Sequence, residues 1–427
     1  MVSYSDSIRY MMSYVEVPRL KMPREDIGIS DTTLRDGLQM PGVTMTMNQQ
    51  LRVYDYLYHI GIDKLECFMS DKFYRDIVYA MLNKGYEKPE VTGWARADRK
   101  DIDDVHSIGG IKEVGMLMSV SDPHIYDKMG ITRKEAEKKY LDALRYALDK
   151  GLRVRCHLED ITRSDFDGFV LPFVNKIIEE DPDAIIRICD TVGYGLPFPD
   201  EDLEYEDYDG PRPPFSIPTI VRKLLGIGVK NVEMHAHDDY GFAPANTLAA
   251  VKYGANWVSV TFLGIGERSG NSELEKFLAF VNTRTAHKNK YKTDCLKEFA
   301  DYVNKERIVY VPKNKAVVGD NVFAVKSGIH GSAILKNPFT YEPYEPKIVG
   351  QERKFLIGMT SGSGILVSEI NKILEKKGYP TIKKEDPLVA STLEMIKDLY
   401  RDGKGRMSDV ADWELEKMIE TQIKSAA

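Results

Sequence analysis

The stretch Val232-Glu-Met-His-Ala-His-Asp-Asp-Tyr-Gly241 has the pattern of a β-strand that ends in two histidines, His235 and His237. Side chains alternate between the two faces of a strand, so residues two apart point the same way. Two imidazoles on one face can bind one divalent metal ion, because neutral imidazole is a common protein ligand for such ions. The two aspartates that follow, Asp238 and Asp239, are expected to orient these imidazoles.

A short apolar strand, a polar turn and an amphipathic helix recur in this order along the chain from Ile27 onward. The predicted strands are Ile27–Asp31, Lys64–Met69, Val91–Ala95, Glu113–Val120, Arg153–Glu159, Ala184–Cys189, Asn231–His237 and Trp257–Leu263. Helix C-caps are expected at Gly61, Gly151, Gly228 and Gly254. Eight strands alternating with helices over about 260 residues predict an α/β fold, a (β/α)8 TIM barrel. An open doubly wound sheet is the alternative, but it usually has fewer strands and a glycine-rich first turn.

The chain of 427 residues is predicted to have three parts. Residues 1–26 form an N-terminal extension, and residues 27–285 form the TIM-barrel catalytic domain. Residues 286–427 form a mainly helical C-terminal accessory region that could serve as a lid over the barrel mouth. The helices predicted near its end are Gly364–Lys377, Asp386–Asp402 and Ser408–Lys424.

Composition excludes several classes of protein. A net charge of −7 without a basic stripe disfavours a nucleic-acid-binding protein. There is no apolar run of the length that a transmembrane helix needs and no visible secretory signal, so no membrane partner is expected. The four cysteines lack paired spacing, which fits a reducing compartment. We therefore expect a cytoplasmic protein.

Active sites of TIM barrels lie at the C-terminal ends of the strands, and polar residues gather at these positions. They are Arg35, Asp36, Glu66, Arg96, Ser119, Ser121, His124, His157, Glu159, Asp160, Arg163, Asp190, Thr191, His235, His237, Glu267, Arg268 and Asn271. Charged side chains in a barrel interior are costly without partners. This set therefore predicts a functional site at the barrel mouth.

Asp36 follows the first predicted strand in Asp31-Thr-Thr-Leu-Arg-Asp-Gly37, and a barrel would bring it to the same mouth as His235 and His237. Two histidines and one carboxylate, with Asn271 as the candidate fourth ligand, suit Mn²⁺, Mg²⁺, Zn²⁺ or Co²⁺. Open coordination positions also suit a substrate that chelates through adjacent oxygens, such as a 2-oxo acid, whose ketone the metal would polarise.

Two further side chains have two interpretations each. Arg35 could stabilise charge that develops on a substrate oxygen, or it could pair with a barrel carboxylate such as Glu66. Glu159 could act as a base or proton relay, or it could hold Arg163 or a neighbouring histidine in place. The residue pattern leaves both choices open.

Four stretches, in this order along the chain, resemble the motifs of one family. They are Asp31-Thr-Thr-Leu-Arg-Asp-Gly37, His235-Ala-His237, Gly264-Ile-Gly-Glu-Arg-Ser-Gly-Asn271 and Ser327-Gly-Ile-His330. The family is that of the barrel metallolyases that condense an acyl-CoA with a 2-oxo acid, among them 2-isopropylmalate, homocitrate, citramalate and Re-citrate synthases. The resemblance extends over residues 27–350.

The resemblance implies a divalent metal on Asp36, His235 and His237, and acetyl-CoA as co-substrate. It implies that Arg35 lies near the reacting oxygens. By the same analogy the protein is expected to be a homodimer.

The resemblance also implies that Glu159, His330 and Tyr341 take part in proton transfer. The last two would come from the helical region, in one arrangement from a partner subunit. Thr191 looks like the threonine of the family that touches the substrate carboxylate. The residues that we expect to bind the substrate are Glu66, His124, His157, Arg163 and Thr191.

Three stretches look most like the Re-citrate synthase branch. They are Arg155-Cys-His-Leu-Glu-Asp-Ile-Thr-Arg163, Cys189-Asp-Thr-Val-Gly-Tyr-Gly-Leu-Pro197 and Leu263-Gly-Ile-Gly-Glu-Arg268. His157 stands where homocitrate and isopropylmalate synthases usually carry a small residue, and it could receive a distal carboxylate. His237-Asp-Asp-Tyr240 and Gly331-Ser-Ala333 depart from the family pattern.

We predict an acyltransferase that converts the acyl group into an alkyl group on transfer, acting on acetyl-CoA and a 2-oxo acid. Oxaloacetate, giving citrate, is the first choice of acceptor. The alternatives are a homocitrate synthase using 2-oxoglutarate and a 2-isopropylmalate synthase using 2-oxoisovalerate. More remote are a lyase of the hydroxymethylglutaryl-CoA type and a barrel scaffold with a structural metal.

Overall fold

The structure, a computed structural model, describes residues 18–204, 212–286, 290–401, 406 and 408–426. Contacts between residues divide the chain into two compact units. One is Arg19–Val311, and the other contains Pro18 and the described residues from Pro312 onward. Residues 1–17 of the predicted N-terminal extension lie outside the described residues, and the predicted domain boundaries stay predictions.

The unit Arg19–Val311 contains a closed barrel of eight parallel strands, which confirms the predicted TIM barrel. Its strands are β1 (Gly28–Asp31), β2 (Lys64–Cys67), β3 (Glu90–Arg96), β4 (Glu113–Ser119), β5 (Arg153–Glu159), β6 (Ile185–Asp190), β7 (Asn231–Ala236) and β8 (Trp257–Val260). Strand β8 closes the barrel by pairing with β1. It is shorter than predicted because the chain turns at Phe262–Gly264, where Leu263 has a φ of 61°.

Helices separate the strands along the chain. They are α1 (Met47–Ile60), α2 (Lys72–Asn83), α3 (Arg99–His106), α4 (Arg133–Asp149), α5 (Leu171–Glu180), α6 (Ile217–Gly226), α7 (Ala243–Tyr253), α8 (Leu274–Arg284) and α9 (Leu296–Lys305). Across the parts of the chain that the structure describes, none of the helices has the length and apolar character needed to cross a membrane.

Local sequence signals explain where several helices begin and end. Thr46 and Thr132 form capping boxes at the starts of α1 and α4. In each box the threonine hydroxyl accepts a hydrogen bond from the backbone N–H of the third helical residue, and the side chain of that residue accepts one from the threonine backbone N–H. Gly61 and Gly254 end α1 and α7 in the left-handed conformation, as predicted from the sequence.

The barrel interior below the mouth contains buried charged side chains on alternate positions of several strands. They are Lys64, Glu66, Glu113, Arg155, Arg187 and Glu233. Glu233 Oε2 accepts from Arg187 Nε at 2.6 Å, and Glu233 Oε1 accepts from Arg155 Nη1 at 2.8 Å. Three acids and three bases balance one another, which is the condition under which buried charge is tolerated.

These charges form one continuous chain of ion pairs. Towards the N-terminal ends of the strands, Arg155 Nη2 lies 3.0 Å from Glu113 Oε1, and Glu113 also binds Lys64. Towards the mouth, Arg187 Nη1 lies 3.0 Å from Glu66 Oε2. We call this set the interior ion chain. It connects the floor of the barrel to the residues of the mouth.

The second unit is mainly helical, as predicted. Its elements are β9 (Ala324–Val325), α10 (Gly328–Lys336), β10 (Lys354–Phe355), α11 (Ser363–Lys376), α12 (Pro387–Arg401) and α13 (Asp412–Ala426). Buried side chains of its last three helices, among them Ile370, Ile396 and Ile419, form an apolar core of their own. Residue 402, the end of one predicted helix, lies outside the described residues.

Candidate active site

Asp36, His235 and His237 meet at the mouth of the barrel. One ligand atom from each lies within 4.8 Å of the others, and all three residues are buried. Asp36 Oδ2 is 3.3 Å from His235 Nε2 and 3.9 Å from His237 Nε2. Asp36 follows β1 and the histidines belong to β7 and its end, so closure of the barrel brings together residues about two hundred positions apart.

Asn271 lies next to this cluster. Its backbone forms an antiparallel β-bridge with that of His237, and its Nδ2 donates to Ile265 O at 3.2 Å. Its Oδ1 is buried and has no hydrogen-bond partner among the described residues. Gly266 leaves space for this arrangement, because a Cβ there would contact the Asn271 amide and lie 3.2 Å from Asp36 Oδ1. Two imidazoles, a carboxylate and an unpartnered amide oxygen fit a divalent metal ion.

The electrostatics of the cluster favour the protonation states that metal ligands need. Burial would raise the pKa of Asp36, but Arg35 and the two imidazoles outweigh it and hold that pKa far below its ordinary value. Burial lowers the pKa of His235 to about 4, although Asp36 opposes the shift. Burial likewise lowers the pKa of His237. At neutral pH the carboxylate is therefore charged and the imidazoles are neutral.

The orientation of His235 depends on a residue that the sequence analysis did not identify. Its Nδ1 lies at hydrogen-bond distance, 3.0 Å, from Ser259 Oγ on β8, which leaves Nε2 facing Asp36. Asp239 pairs with Arg268 at 2.9 Å. The structure thus gives His235 an orienting contact with a serine of the neighbouring strand, and the role of the two aspartates stays a prediction.

Arg35 lies between two carboxylates. Its Nε donates to Glu66 Oε1 at 2.7 Å, and its Nη1 lies 3.2 Å from Asp36 Oδ2. It also lines a cavity at the barrel mouth. Both interpretations of Arg35 are therefore compatible with its position, because the pairing with Glu66 still leaves the guanidinium at the cavity wall.

A cavity of about 340 Å³ opens beside the cluster. It is lined by Arg35, Asp36, Gln39, Trp94, Leu117, His157, Glu159, Arg187, Cys189, Thr191, His235, His237, Glu267 and Arg268. Of the residues predicted to bind substrate, His157 and Thr191 belong to this lining, whereas Glu66, His124 and Arg163 do not. Each of those three instead contacts a charged side chain beside the cavity.

Glu66 lies behind the cavity wall with no exposed surface. It holds Arg35 and Arg187, and its Oε2 is 3.2 Å from His157 Nε2. His157 is also buried, and burial followed by the charge of Arg187 lowers its pKa to about 3. A neutral imidazole and a charged guanidinium therefore stand side by side in the lining, each with a nitrogen within 3.2 Å of the same carboxylate oxygen.

Glu159 is surrounded by donors at the end of β5. Lys128 Nζ donates to both of its oxygens at 2.8 Å, and Ser119 donates to Oε2. His124 Nδ1 lies 3.2 Å from the same Oε2. Burial would raise the pKa of Glu159, but these contacts outweigh it and lower the pKa to about 2. Of the two partners suggested by the sequence, Glu159 holds the histidine; the arginine is paired elsewhere.

Arg163 pairs with Asp160, whose Oδ1 is 2.8 Å from its Nε. Thr191 is fixed from the same side, because its Oγ1 accepts from the Asp160 backbone N–H at 2.9 Å. Asp160 thus connects the turn after β5 to the threonine that lines the cavity after β6.

His330 and Tyr341 belong to the second unit. His330 lies on α10, both side chains are exposed, and their ring centroids are 4.2 Å apart. The structure brings these two predicted proton-transfer residues together with each other.

The residues that the sequence analysis missed include Arg187, Lys128 and Ser259, and among the lining residues also Gln39, Trp94, Leu117 and Cys189. Arg187 has the clearest sequence signal of these, because it is a charged residue inside the apolar run Ile185-Ile-Arg-Ile188. It also lies on the same face of the strand as Cys189, two residues later. Lys128 ends a short π-helix, Pro123–Lys128, a distortion that is frequent at functional sites but has no sequence signature here.

Comparison with known proteins identifies the family of the chain. The family described as HMGL-like matches residues 26–205 and 211–303, and the homocitrate synthase post-HMGL domain-like family matches residues 317–399. The chain belongs to the HMGL-like family.

Curated relatives are condensing synthases. The chain is 36% identical to the Citrate (Re)-synthase of Clostridium kluyveri, over 95% of this chain and 91% of that protein. It is also 36% identical to the 2-isopropylmalate synthase of Sulfolobus acidocaldarius, over 88% of this chain and 92% of that protein. The predicted family is confirmed, and so is the predicted class, an acyltransferase that converts the acyl group into an alkyl group on transfer.

A solved structure supports the fold. The HMG-CoA lyase of Bacillus subtilis matches with a TM-score of 0.54 at 18% identity, over 68% of this chain and 95% of the lyase. At this identity the likeness establishes the barrel and says nothing about the substrate.

Proposed function

We propose that this enzyme condenses acetyl-CoA with oxaloacetate and hydrolyses the product thioester, releasing citrate and CoA. The methyl carbon of acetyl-CoA loses a proton and bonds to the ketone carbon, whose oxygen gains a proton. Water then cleaves the citryl thioester, and CoA leaves as its thiol. The identity to a Citrate (Re)-synthase supports this choice of acceptor.

One observation carries the proposal. A single cavity has the Asp36, His235 and His237 cluster in its wall and, in the same lining, the cation of Arg187 beside the imidazole of His157. A 2-oxo dicarboxylic acid has a chelating end and a distal carboxylate, and these two features of the wall match the two ends.

Asp36, His235 and His237 would hold a divalent ion, with Asn271 Oδ1 as a further ligand. Mn²⁺, Mg²⁺, Zn²⁺ and Co²⁺ all accept this mixed set of nitrogen and oxygen atoms. When bound, such an ion supplies Lewis-acid polarisation of the ketone. The buried Oδ1 without a partner among the described residues supports this assignment.

The remaining residues of the wall bind and orient the acid. Arg35, fixed by Glu66, would donate to the ketone oxygen as negative charge develops there. Thr191 would bind the carboxylate next to the ketone. His157 and Arg187 would receive the distal carboxylate, with Glu66 acting through both of them.

Glu159 is proposed to act as a proton relay. A carboxylate with a pKa of about 2 accepts a carbon-bound proton poorly, because base strength falls with pKa. Its contacts with His124 and Lys128 give it two partners that can exchange protons. His330 and Tyr341 of the second unit are proposed for the other proton transfers. The family resemblance supports delivery of this pair within a homodimer.

The test is release of CoA from acetyl-CoA with Mn²⁺ against oxaloacetate, 2-oxoglutarate, 2-oxoisovalerate, pyruvate and glyoxylate. The proposal predicts release with oxaloacetate and its loss in a His235→Ala variant. No release with any acid would refute the condensation and favour the lyase, which would instead form acetyl-CoA from a hydroxyacyl-CoA. If the protein releases no CoA and a chelator lowers its melting temperature, the barrel scaffold with a structural metal is favoured.

Homocitrate synthase is the second candidate, and one observation favours it. Residues 317–399 match the homocitrate synthase post-HMGL domain-like family. Release of CoA with 2-oxoglutarate in preference to oxaloacetate would select it, and preference for 2-oxoisovalerate would select a 2-isopropylmalate synthase.

A further inference from the structure

Gly115 stands in the middle of β4, where a residue without a side chain weakens a strand and often marks close approach by another group. On the same face of β4, Glu113 belongs to the interior ion chain and Leu117 lines the active-site cavity. The gap at Gly115 therefore lies between the barrel floor and the cavity.

The gap is filled from two other strands. A Cβ atom on Gly115 would lie 2.5 Å from Nε2 and 2.7 Å from Cε1 of His157, and 2.8 Å from Oε2 of Glu66. Such distances are shorter than carbon atoms tolerate, so any side chain at this position displaces one of the two groups.

Neither group can move without disturbing the cavity. His157 is only 2% exposed, so its ring has little free space to enter except the cavity that it lines. Glu66 is tied to Arg35 at 2.7 Å and to Arg187 at 3.0 Å. A shift of its carboxylate would therefore move both guanidinium groups of the wall.

We propose that Gly115 is a specificity-determining position, because the absence of its side chain lets His157 lie in the wall and so fixes the size and polarity of the acceptor pocket. Gly115 acts through His157 and does not touch the substrate. The inference deepens the proposed function and rests on it. It assigns the discrimination between 2-oxo acids that differ by one methylene to a glycine of the barrel interior.

The experiment compares Gly115→Ala with a matched control, Gly93→Ala. Gly93 lies on the neighbouring strand β3, and its Cβ would be 2.7 Å from Val105 and 3.0 Å from Met69, away from the cavity lining. Both variants strain the barrel, but only the first displaces His157 or Glu66. The readouts are the melting temperature and the separate values of kcat and KM for oxaloacetate and 2-oxoglutarate.

For Gly115→Ala we expect KM for oxaloacetate to rise about tenfold or more, and the preference over 2-oxoglutarate to change by at least about tenfold, the scale of one methylene in a binding pocket. Gly93→Ala should lower the melting temperature without changing the preference. A Gly115→Ala enzyme with unchanged KM and unchanged preference would overturn the inference.

A second variant keeps the test decisive if Gly115→Ala does not fold. His157→Ser retains the gap and removes the ring, so the preference for oxaloacetate should fall by a similar factor. Unchanged preference in His157→Ser would refute the role of this pair. If the wild-type enzyme prefers another 2-oxo acid, the choice of oxaloacetate fails, while the ratio test still applies with that acid as the reference.

Discussion

Nε of Arg35 lies 2.7 Å from Oε1 of Glu66, and this contact joins the barrel mouth to the interior ion chain. The other end of the same guanidinium lies 3.2 Å from Asp36, a candidate metal ligand. Arg35 is thus held between a carboxylate that would bind a metal and one that is completely buried. Its position at the cavity wall depends on Glu66 as much as on its own backbone.

Substitution Glu66→Gln should disable Arg35 without removing it. The amide keeps the shape of the side chain but leaves Arg35 and Arg187 with less compensating charge, so we expect kcat/KM for the 2-oxo acid to fall at least about a hundredfold, the scale of a misplaced catalytic group. Loss of one partner of a buried ion pair should also lower the free energy of unfolding by about 3 kcal/mol. Steady-state kinetics and denaturant unfolding measure the two effects.

Glu113→Gln is the matched control for this variant. Glu113 is equally buried but lies at the floor end of the interior ion chain, bound to Arg155 and Lys64. The Glu113→Gln variant should lose about as much free energy of unfolding as Glu66→Gln, but it should keep most of its activity. Equal loss of activity in both variants would contradict the special role of Glu66.

Ser259 should tune the metal affinity through His235. Its hydroxyl holds His235 Nδ1 at 3.0 Å, and loss of such an outer partner commonly weakens metal binding by about 10- to 100-fold. We expect Ser259→Ala to weaken the binding of Mn²⁺, measured by calorimetry, by this factor. Asn271→Ala should also bind Mn²⁺ more weakly. Ser121→Ala, which loses a buried hydrogen bond to Asp160 instead, should bind Mn²⁺ normally. Normal Mn²⁺ affinity in Ser259→Ala would argue against the assignment of His235 as a ligand.

Lys128 should hold down the pKa of Glu159. It donates to both oxygens of Glu159 and thereby favours the charged carboxylate, whose pKa is about 2. Removing the ammonium in Lys128→Met takes away stabilisation of the charged form, so the pKa of Glu159 must rise, which an NMR titration of this carboxyl group measures. A neighbouring exposed lysine, Lys134, provides the control variant, in which the pKa should not change. An unchanged pKa of Glu159 in Lys128→Met would contradict the importance of this contact.

Asp31 should make the protein less stable as the pH rises. Burial raises the pKa of Asp31 from 3.8 to about 7, and the bonds from Thr33 only partly oppose it. The native state therefore binds a proton that the unfolded state has lost between these values. Stability from this group is complete below pH 3.8 and declines up to about pH 7, by about 4 kcal/mol at 1.4 kcal/mol per unit. Asp31→Asn should flatten this slope in unfolding curves, and an unchanged slope would assign it to other groups.

The barrel, and the meeting of Asp36 with His235 and His237 at its mouth, could be predicted because both follow from patterns in the sequence. Alternation of strands and helices indicates the barrel, and the barrel by itself places Asp36 beside His235 and His237. The contacts of Ser259 and Lys128 could not be predicted, because they depend on side-chain directions in three dimensions. The role of Gly115 could not be predicted for a similar reason. Gly115 leaves space for the ring of His157, which belongs to the next strand along the chain.

The most direct test of the central claim is a competition assay. Acetyl-CoA, Mn²⁺ and equal concentrations of oxaloacetate and 2-oxoglutarate are supplied together, and the products are identified by mass. Both acids carry a distal carboxylate, but the ring of His157 in the wall fixes the size of the pocket, so the account predicts that the shorter acid is preferred and that citrate forms in large excess. Homocitrate in excess, or neither acid consumed, would contradict it.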